Sequence, residues 1–306
     1  MIFPRSGESG KAKRVILMLQ PLQLVQPTTV AEASQALAEY GERAKIYAGG
    51  AELLLLMRHG FLQSEILVDV KKIERLHRVS VNSNSLCIGA CVTHRELAAH
   101  PLIRRHARAF ADAESQIANV RVRNQGTLGG NLAFNDPHSD PGPLLLIHQA
   151  SVILGSSRGE RQLPLSEFFI DMYLTALEAD ELLLEAEIPF LPADMKCAYQ
   201  RLHRFQRPTL GVAAAVRLNN GVVDETRLAV GCVGPKALRL ADLETKIKGC
   251  PLDAAKQIIL DEKNHLREII RPVDDLLGSA EYKLYMTAVM LVDVLEQASA
   301  SNDLTR

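Results

Sequence analysis

The stretch ANVRVRNQGTLGGNLAFNDPHSD (118–140) decides how this chain is read. It holds three glycines and a run of small polar residues, with almost no helix or strand periodicity, and it lies between two strongly patterned segments. Such a segment is built to expose backbone. Its centre, TLGGN (127–131), places the side-chain donors of Thr127 and Asn131 beside Gly129 and Gly130. A second loop of the same kind, AGG (48–50), stands about 80 residues earlier between a predicted strand, AKIYAGG (44–50), and a predicted helix, AELLLLMRHG (51–60). Where a strand hands over to a helix, backbone N–H groups converge on a patch of partial positive charge. Glycine lets that backbone come close to a phosphate. Neither loop is GxGxxG or GxxxxGK[ST], so neither a Rossmann fingerprint nor a P-loop is supported. Alone, residues 48–50 read equally well as a tight turn. Together the two loops predict a neutral cradle gripping one diphosphate from both sides.

The rest of the sequence bounds the setting. A chain of 306 residues can bury two cores, and 47% apolar with 23% charged residues is ordinary for a globular protein. A net charge of −1 gives no reason to expect a nucleic-acid surface. The five cysteines (Cys87, Cys91, Cys197, Cys232, Cys250) form no CxxC pair and no His cluster accompanies them. This argues against a zinc site, an iron–sulfur site or a disulfide framework, and for a reducing, cytoplasmic setting. No apolar run reaches the ~18–20 residues of a membrane span. The N-terminal MIFPRSGESGKAKRVILMLQPLQL weakly imitates a secretory signal, but Gln20 and Pro21 break its apolar run. The plainer reading starts the fold at Met18 and leaves residues 1–17 as a disordered extension.

Further along, Thr29/Glu32 and Thr93/Glu96 have capping-box spacing and open helices, the second interrupted at Pro101. EILVDV (65–70) and ELLLEAEIPF (181–190) read as strands, VSVNSNSLCIGA (79–90) as a hairpin, and LLLIHQASVIL (144–154) ends in a strand. PFLPAD (189–194) has the composition of a domain boundary. Beyond it come a hairpin about Asn-Asn-Gly in residues 209–234 and a long amphipathic helix in residues 279–298 with Ser279 as N-cap. The mixed order predicts an α+β fold, and the boundary at PFLPAD divides it into a domain over 18–192 and a second over 193–306.

Other conspicuous residues read as ordinary structure. His138-Ser139-Asp140 holds the residue types of a triad, but adjacent residues cannot adopt triad geometry and no nucleophile elbow surrounds Ser139. His94, His100 and His106 are six apart, which does not make one ligating face. Cys87 and Cys91 are four apart on a predicted strand and read as one packed face. No carboxylate pair stands in a catalytic setting, so no catalytic residue is assigned.

The ordered set YAGGAELLLLM (47–57), LVDVKKIERL (67–76), LCIGACVTHRELAAHPLI (86–103), VRNQGTLGGNLAFNDPHSD (122–140), DELLLEAEIPF (180–190) and SAEYKLYMTAVM (279–290) resembles the FAD-binding (medium) subunit of molybdenum hydroxylases, the xanthine dehydrogenase and carbon monoxide dehydrogenase flavoprotein family. The resemblance spans nearly all of residues 18–300. It implies a two-part FAD-binding domain (PCMH/VAO-like) followed by a C-terminal domain like that of the CO dehydrogenase flavoprotein. It also implies that Tyr47, Ala48, Gly49, Gly50, Ala51, Glu52 and Leu53 wrap the FAD pyrophosphate, with Ile46 leading into them, and that Thr127, Gly129, Gly130 and Asn131 form the facing loop. By the same resemblance Asp140 belongs near the ribityl and phosphate region, Ile117 over the adenine, Leu183 near the isoalloxazine, and Arg201 near the flavin, where a plain surface arginine is the competing reading.

The family's function implies electrons passing from [2Fe–2S] clusters on a small subunit, through this chain's FAD, to an acceptor such as NAD, with molybdopterin on a large subunit. Two departures bear on this. Ala51 and Glu52 stand where the family usually has Thr or His, then Asp or Ser. HRFQRPTLG (203–211) keeps Arg204 but puts Phe205 where a second arginine is common. Two alternatives stay open: a stand-alone flavin oxidase or reductase and, because of Ala51, an FAD-free structural subunit of the same complex.

Overall fold

The computed structural model describes residues 21–203 and 207–300. The N-terminal extension, the start at Met18 and the Arg204-Phe205 departure lie outside these residues. Three units follow one another along the chain.

The first unit is β1 (Gln23–Val25), α1 (Val30–Tyr40), β2 (Ala44–Tyr47), α2 (Leu53–Arg58) and β3 (Ile66–Asp69), with the strands in a parallel sheet ordered β1-β3-β2. Thr29 closes the predicted capping box with Glu32, and α1 buries Ala33, Ala36 and Leu37. β3 is buried throughout, as a central parallel strand requires.

The second unit opens with the hairpin β4 (Val79–Val81) and β5 (Ser85–Gly89). Six short helices follow: α3 (His94–Ala99), α4 (Pro101–His106), α5 (Arg108–Glu114), α6 (Val120–Gln125), α7 (Leu128–Phe134) and α8 (Pro141–Ile147). Then come β6 (Ser151–Ser156), β7 (Gly159–Pro164), α9 (Leu165–Phe168), the small hairpin β8 (Phe169–Asp171) and β9 (Leu174–Thr175), and β10 (Leu182–Pro189). Strands β4-β5-β10-β6-β7 form an antiparallel sheet.

Two expectations change here. The opening stretch is not an extended loop. Asn119 and Thr127 each cap a helical turn or two with their side chains, and α6 and α7 occupy most of 120–134. Cys87 and Cys91 do not share a strand face. β5 stops at Gly89, where a Cβ would stand 2.4 Å from the Leu76 carbonyl oxygen, and Cys91 lies in the turn beyond.

The third unit is an antiparallel sheet of β11 (Lys196–Leu202), β12 (Leu210–Asn219), β13 (Val222–Gly231) and β14 (Leu238–Arg239), followed by α10 (Ala241–Ile247), α11 (Leu252–Asp261), α12 (Lys263–Ile270) and α13 (Ala280–Ala300). The β12–β13 turn is Asn220-Gly221, both at positive φ, as a two-residue primed turn demands. Asp224, Glu225 and Thr226 lie within β13. Alternate residues of β12 face opposite ways: Ala213 and Ala215 pack with the first two units, while Val212, Ala214 and Val216 pack with α10–α13. Small residues on one face let the sheet sit close against α8.

Candidate functional site

Where the three units meet they leave a cleft of about 410 Å³, within the range of small-molecule sites. The first unit supplies residues 48–53; the second supplies 117–118, 126–127, 129–131, 136 and 138–140 with Leu177, Leu182 and Leu183; the third supplies Arg207 and Pro208.

The two glycine loops are unlike each other. Among the described residues, no protein acceptor faces the backbone N–H of Gly49, Gly50, Ala51, Glu52 or Leu53. Five consecutive open donors beside a cleft are an anion-binding arrangement, and an unfilled one is costly. In the second loop the amides are already taken. Leu128 donates to the Val92 carbonyl at 3.0 Å, Gly129 to Ala90 at 2.9 Å and Gly130 to the Thr127 hydroxyl oxygen at 3.1 Å. What it offers the cleft is side chains: the Thr127 O–H proton, and Asn131, whose Oδ1 accepts from Ser139 at 2.6 Å.

The glycines have further work. A Cβ on Gly49 would stand 1.7 Å from the Gln125 carbonyl oxygen, and one on Gly129 2.4 Å from the Ala90 Cβ. These two glycines let the loops and their support meet back to back. Gly50 takes φ +75° and receives the Tyr47 ring.

Behind the second loop lies a buried polar wall. Asp140 accepts from the Tyr199 hydroxyl at 2.7 Å and pairs with the Arg201 guanidinium at 3.3 Å, and Arg201 also donates to the Gln116 carbonyl at 2.7 Å. Burial pushes the Asp140 carboxyl up to about 6, against the pull of Arg201 and Tyr199. His94 pairs with buried Glu114 at 2.6 Å, and its backbone N–H donates to the Gly126 carbonyl. His138 donates from Nδ1 to the Pro208 carbonyl at 3.0 Å and faces Asp275 with Nε2 at 3.2 Å; buried Lys283 holds Asp275 at 2.5 Å. Ile117 and Leu183 are apolar and nearly buried at the cleft wall. Leu183 sits at a bulge where β10 slips register against β6.

Of the residues singled out from sequence, Ile46, Ala48 to Leu53, Ile117, Thr127, Gly129, Gly130, Asn131, Asp140 and Leu183 line the cleft. Tyr47 and Arg201 do not. The Tyr47 ring folds away under the Lys71 ammonium, 3.6 Å from ring centroid to Nζ. Arg201 is not a surface arginine either, its side chain being 5% exposed behind Asp140. Cleft residues that sequence reasoning left unassigned include His94, Cys91, Asp136, His138, Arg207 and Pro208. His138 stood inside the deciding stretch and Arg207 inside a departing one, so position alone flagged both. Among the described residues no His, Cys, Asp and Glu group could hold a metal, and no helix is long and apolar enough to cross a membrane.

The donor set fits a diphosphate-bearing cofactor: open amides at one end, apolar walls beyond. Comparison with known proteins agrees. Residues 20–191 match the FAD binding domain in molybdopterin dehydrogenase, and 198–298 the CO dehydrogenase flavoprotein C-terminal domain. The chain is 31% identical to the carbon monoxide dehydrogenase medium chain of Hydrogenophaga pseudoflava over 90% of its length and 96% of that chain's. It is 29% identical to the nicotinate dehydrogenase FAD-subunit of Eubacterium barkeri, over 91% and 98%. The fold superposes on carbon monoxide dehydrogenase from Hydrogenophaga pseudoflava with a TM-score of 0.86 (31% identity, 92% of this chain, 99% of that one). It superposes on quinoline 2-oxidoreductase from Pseudomonas putida 86 with 0.85 (26%, 92% and 98%). The chain belongs to the family of FAD-binding subunits of the molybdenum hydroxylases, the xanthine dehydrogenase and carbon monoxide dehydrogenase type, and is a flavoprotein oxidoreductase subunit.

Proposed function

We propose that this chain is the electron outlet of a three-component molybdenum hydroxylase. It receives electrons from a [2Fe–2S] small subunit, itself fed by a molybdopterin large subunit, and delivers them through FAD to an acceptor such as NAD. The observation that carries the reading is the row of open N–H groups from Gly49 to Leu53, set across the cleft from Thr127 and Asn131. Those amides would hold the pyrophosphate, and Thr127 and Asn131 would donate from the other side. Ile117 and Leu183 would cover the flat apolar parts of the cofactor, and Asp140, fixed by Tyr199 and Arg201, would accept from its hydroxyls. Arg201 acts through Asp140, not directly.

Bound FAD supplies a carrier that accepts electrons singly and passes a pair. This chain's residues orient it, exclude water from it and set its surroundings. Ala51 removes a side-chain donor worth about 1 kcal/mol; its backbone N–H remains open.

The test is spectroscopic. The purified chain should carry the visible bands of oxidised flavin, and added FAD, but not FMN, should raise the melting temperature of protein stripped of flavin. Reconstituted with its two partners, the complex should bleach those bands on adding the hydroxylase substrate and recover them with NAD. A chain that neither carries nor takes up FAD sinks the reading. Recovery with oxygen or a quinone and not with NAD would correct only the acceptor.

A further inference from the structure

Glu52 and Arg207 are 155 residues apart, and each lies in a stretch where this sequence departs from its family. In the folded chain they meet. Arg207 Nη2 reaches both Glu52 carboxylate oxygens at 3.3 Å, and Nη1 reaches Asp136 at 2.5 Å. Tyr173 stands beside the same guanidinium, which shifts its hydroxyl's pKa against the upward push of burial. Glu52 belongs to the first glycine loop, Asp136 follows the helix of the second, Tyr173 stands in the β8–β9 turn, and Arg207 comes from the third unit.

The partners are held independently. Asp136 accepts the His138 N–H at 2.9 Å with its other oxygen. Neighbouring Asn135 is buried and donates to the Asp171 and Leu174 carbonyls, which also fixes the turn bearing Tyr173.

A half-exposed ion pair by itself contributes little, and Arg207 is 48% exposed. What matters is the setting. Glu52 and Asp136 are two carboxylates lining a cleft whose open amides suit an anion, and Arg207 pairs with both, offsetting one of their two negative charges. Without it, Glu52 would stand unpaired among the donors of residues 49–53.

We propose that Arg207 is a positioning residue for the cofactor, a clamp that ties the two glycine loops across the cleft mouth, offsets the negative charge that Glu52 and Asp136 bring to it, and so sets how long FAD stays bound. This rests on the reading of the cleft as the FAD site. The clamp substitutes an ionic tie for the side-chain donor absent at Ala51.

The experiment measures the FAD dissociation rate of the full-length chain, by flavin fluorescence on dilution, in wild type, Arg207→Ala, Glu52→Gln and the double variant. Arg207→Ala should release FAD roughly tenfold faster, Glu52→Gln should change the rate by less than about threefold, and the double variant should be slower than Arg207→Ala alone. That rescue separates charge cancellation from simple structural damage. Raising KCl from about 20 to about 500 mM should speed release from wild type and leave the double variant nearly unmoved. If wild type binds FAD and Arg207→Ala releases it at the same rate, or if Glu52→Gln brings no rescue, the clamp is overturned while the FAD site stands. If wild type binds no FAD, both fall.

Discussion

Gly49, Gly129 and Gly130 were singled out for one reason, close approach to a phosphate, and the fold separates them. At Gly129 a methyl would meet Ala90 backbone and side chain at 2.4–2.8 Å, whereas at Gly130 it meets only the Thr127 hydroxyl oxygen at 2.9 Å. Gly129→Ala should therefore lose about 1–3 kcal/mol by overpacking, read as a lower urea midpoint. Gly130→Ala should keep the midpoint, helped by alanine's helix propensity, and weaken FAD binding by crowding Thr127. Equal stability of the two variants would contradict this assignment. Sequence showed that glycine mattered at these places but not what each glycine touches, because Ala90 and Gln125 come from distant segments. His148 was passed over for the same reason. It is buried, donates to the Pro189 carbonyl at 3.0 Å, and burial lowers its pKa from 6.5 to about 4. The unfolded chain thus binds the extra proton between those values, and this group's stability is present above 6.5 and lost as pH falls toward 4, up to about 3 kcal/mol. Asp140, raised from 3.8 to about 6, works in the opposite sense over much of that window, because the folded state holds the extra proton there. The two contributions oppose each other in the wild type, and His148→Gln should gain stability relative to wild type as pH drops from 7 to 5. A constant offset between the two denaturation profiles would rule out the buried neutral histidine.

Elements with a strong local code were legible: both capping boxes, the Asn220-Gly221 turn and the Ser279 cap, whose hydroxyl accepts the Tyr282 N–H at 3.2 Å. Helices α6 and α7 were not. At six and seven residues they are too short to form without tertiary support, and α7 carries Gly129 and Gly130 in its first turn. Their support is the segment 90–94, which accepts the amides of Leu128 and Gly129 and bridges Thr93 to Thr127. Thr127 then does two things, capping α7 and lining the cleft. Thr127→Ala should lower stability by about 1 kcal/mol, the usual loss for an N-cap, and weaken FAD binding as well, while Thr127→Ser should keep both. Thr29→Ala, which removes the equivalent cap from α1, should lose similar stability and leave FAD affinity unchanged. Titrating FAD into all three variants, with their melting curves alongside, checks the distinction. If Thr127→Ala binds FAD like wild type, the hydroxyl is a cap only.

At the scale of the whole molecule, the boundary composition of PFLPAD suggested two separable bodies, yet the cleft is finished only by all three units. Asp140 of the second unit depends on Tyr199 and Arg201 of the third, and Arg227 and Lys236 of the third donate to the Ile147 and Phe169 carbonyls. The alanine face of β12 and β13, Ala213, Ala215 and Ala229, is buried in the first core. Such contacts are nonlocal, so no motif announces them. Unfolding the third unit alone would strip Asp140 of both partners and would expose that alanine face. Partial unfolding is therefore unfavourable, and calorimetry should show one transition, moved upward as a whole by FAD. Ala215→Leu tests the coupling directly. Its larger side chain enters a closely packed face, so it should lower the single transition by about 1–3 kcal/mol and weaken FAD binding in parallel, although residue 215 does not line the cleft. Two transitions in wild type, with FAD moving only the first, would mean that the units fold independently and that the polar wall behind Asp140 tolerates their separation.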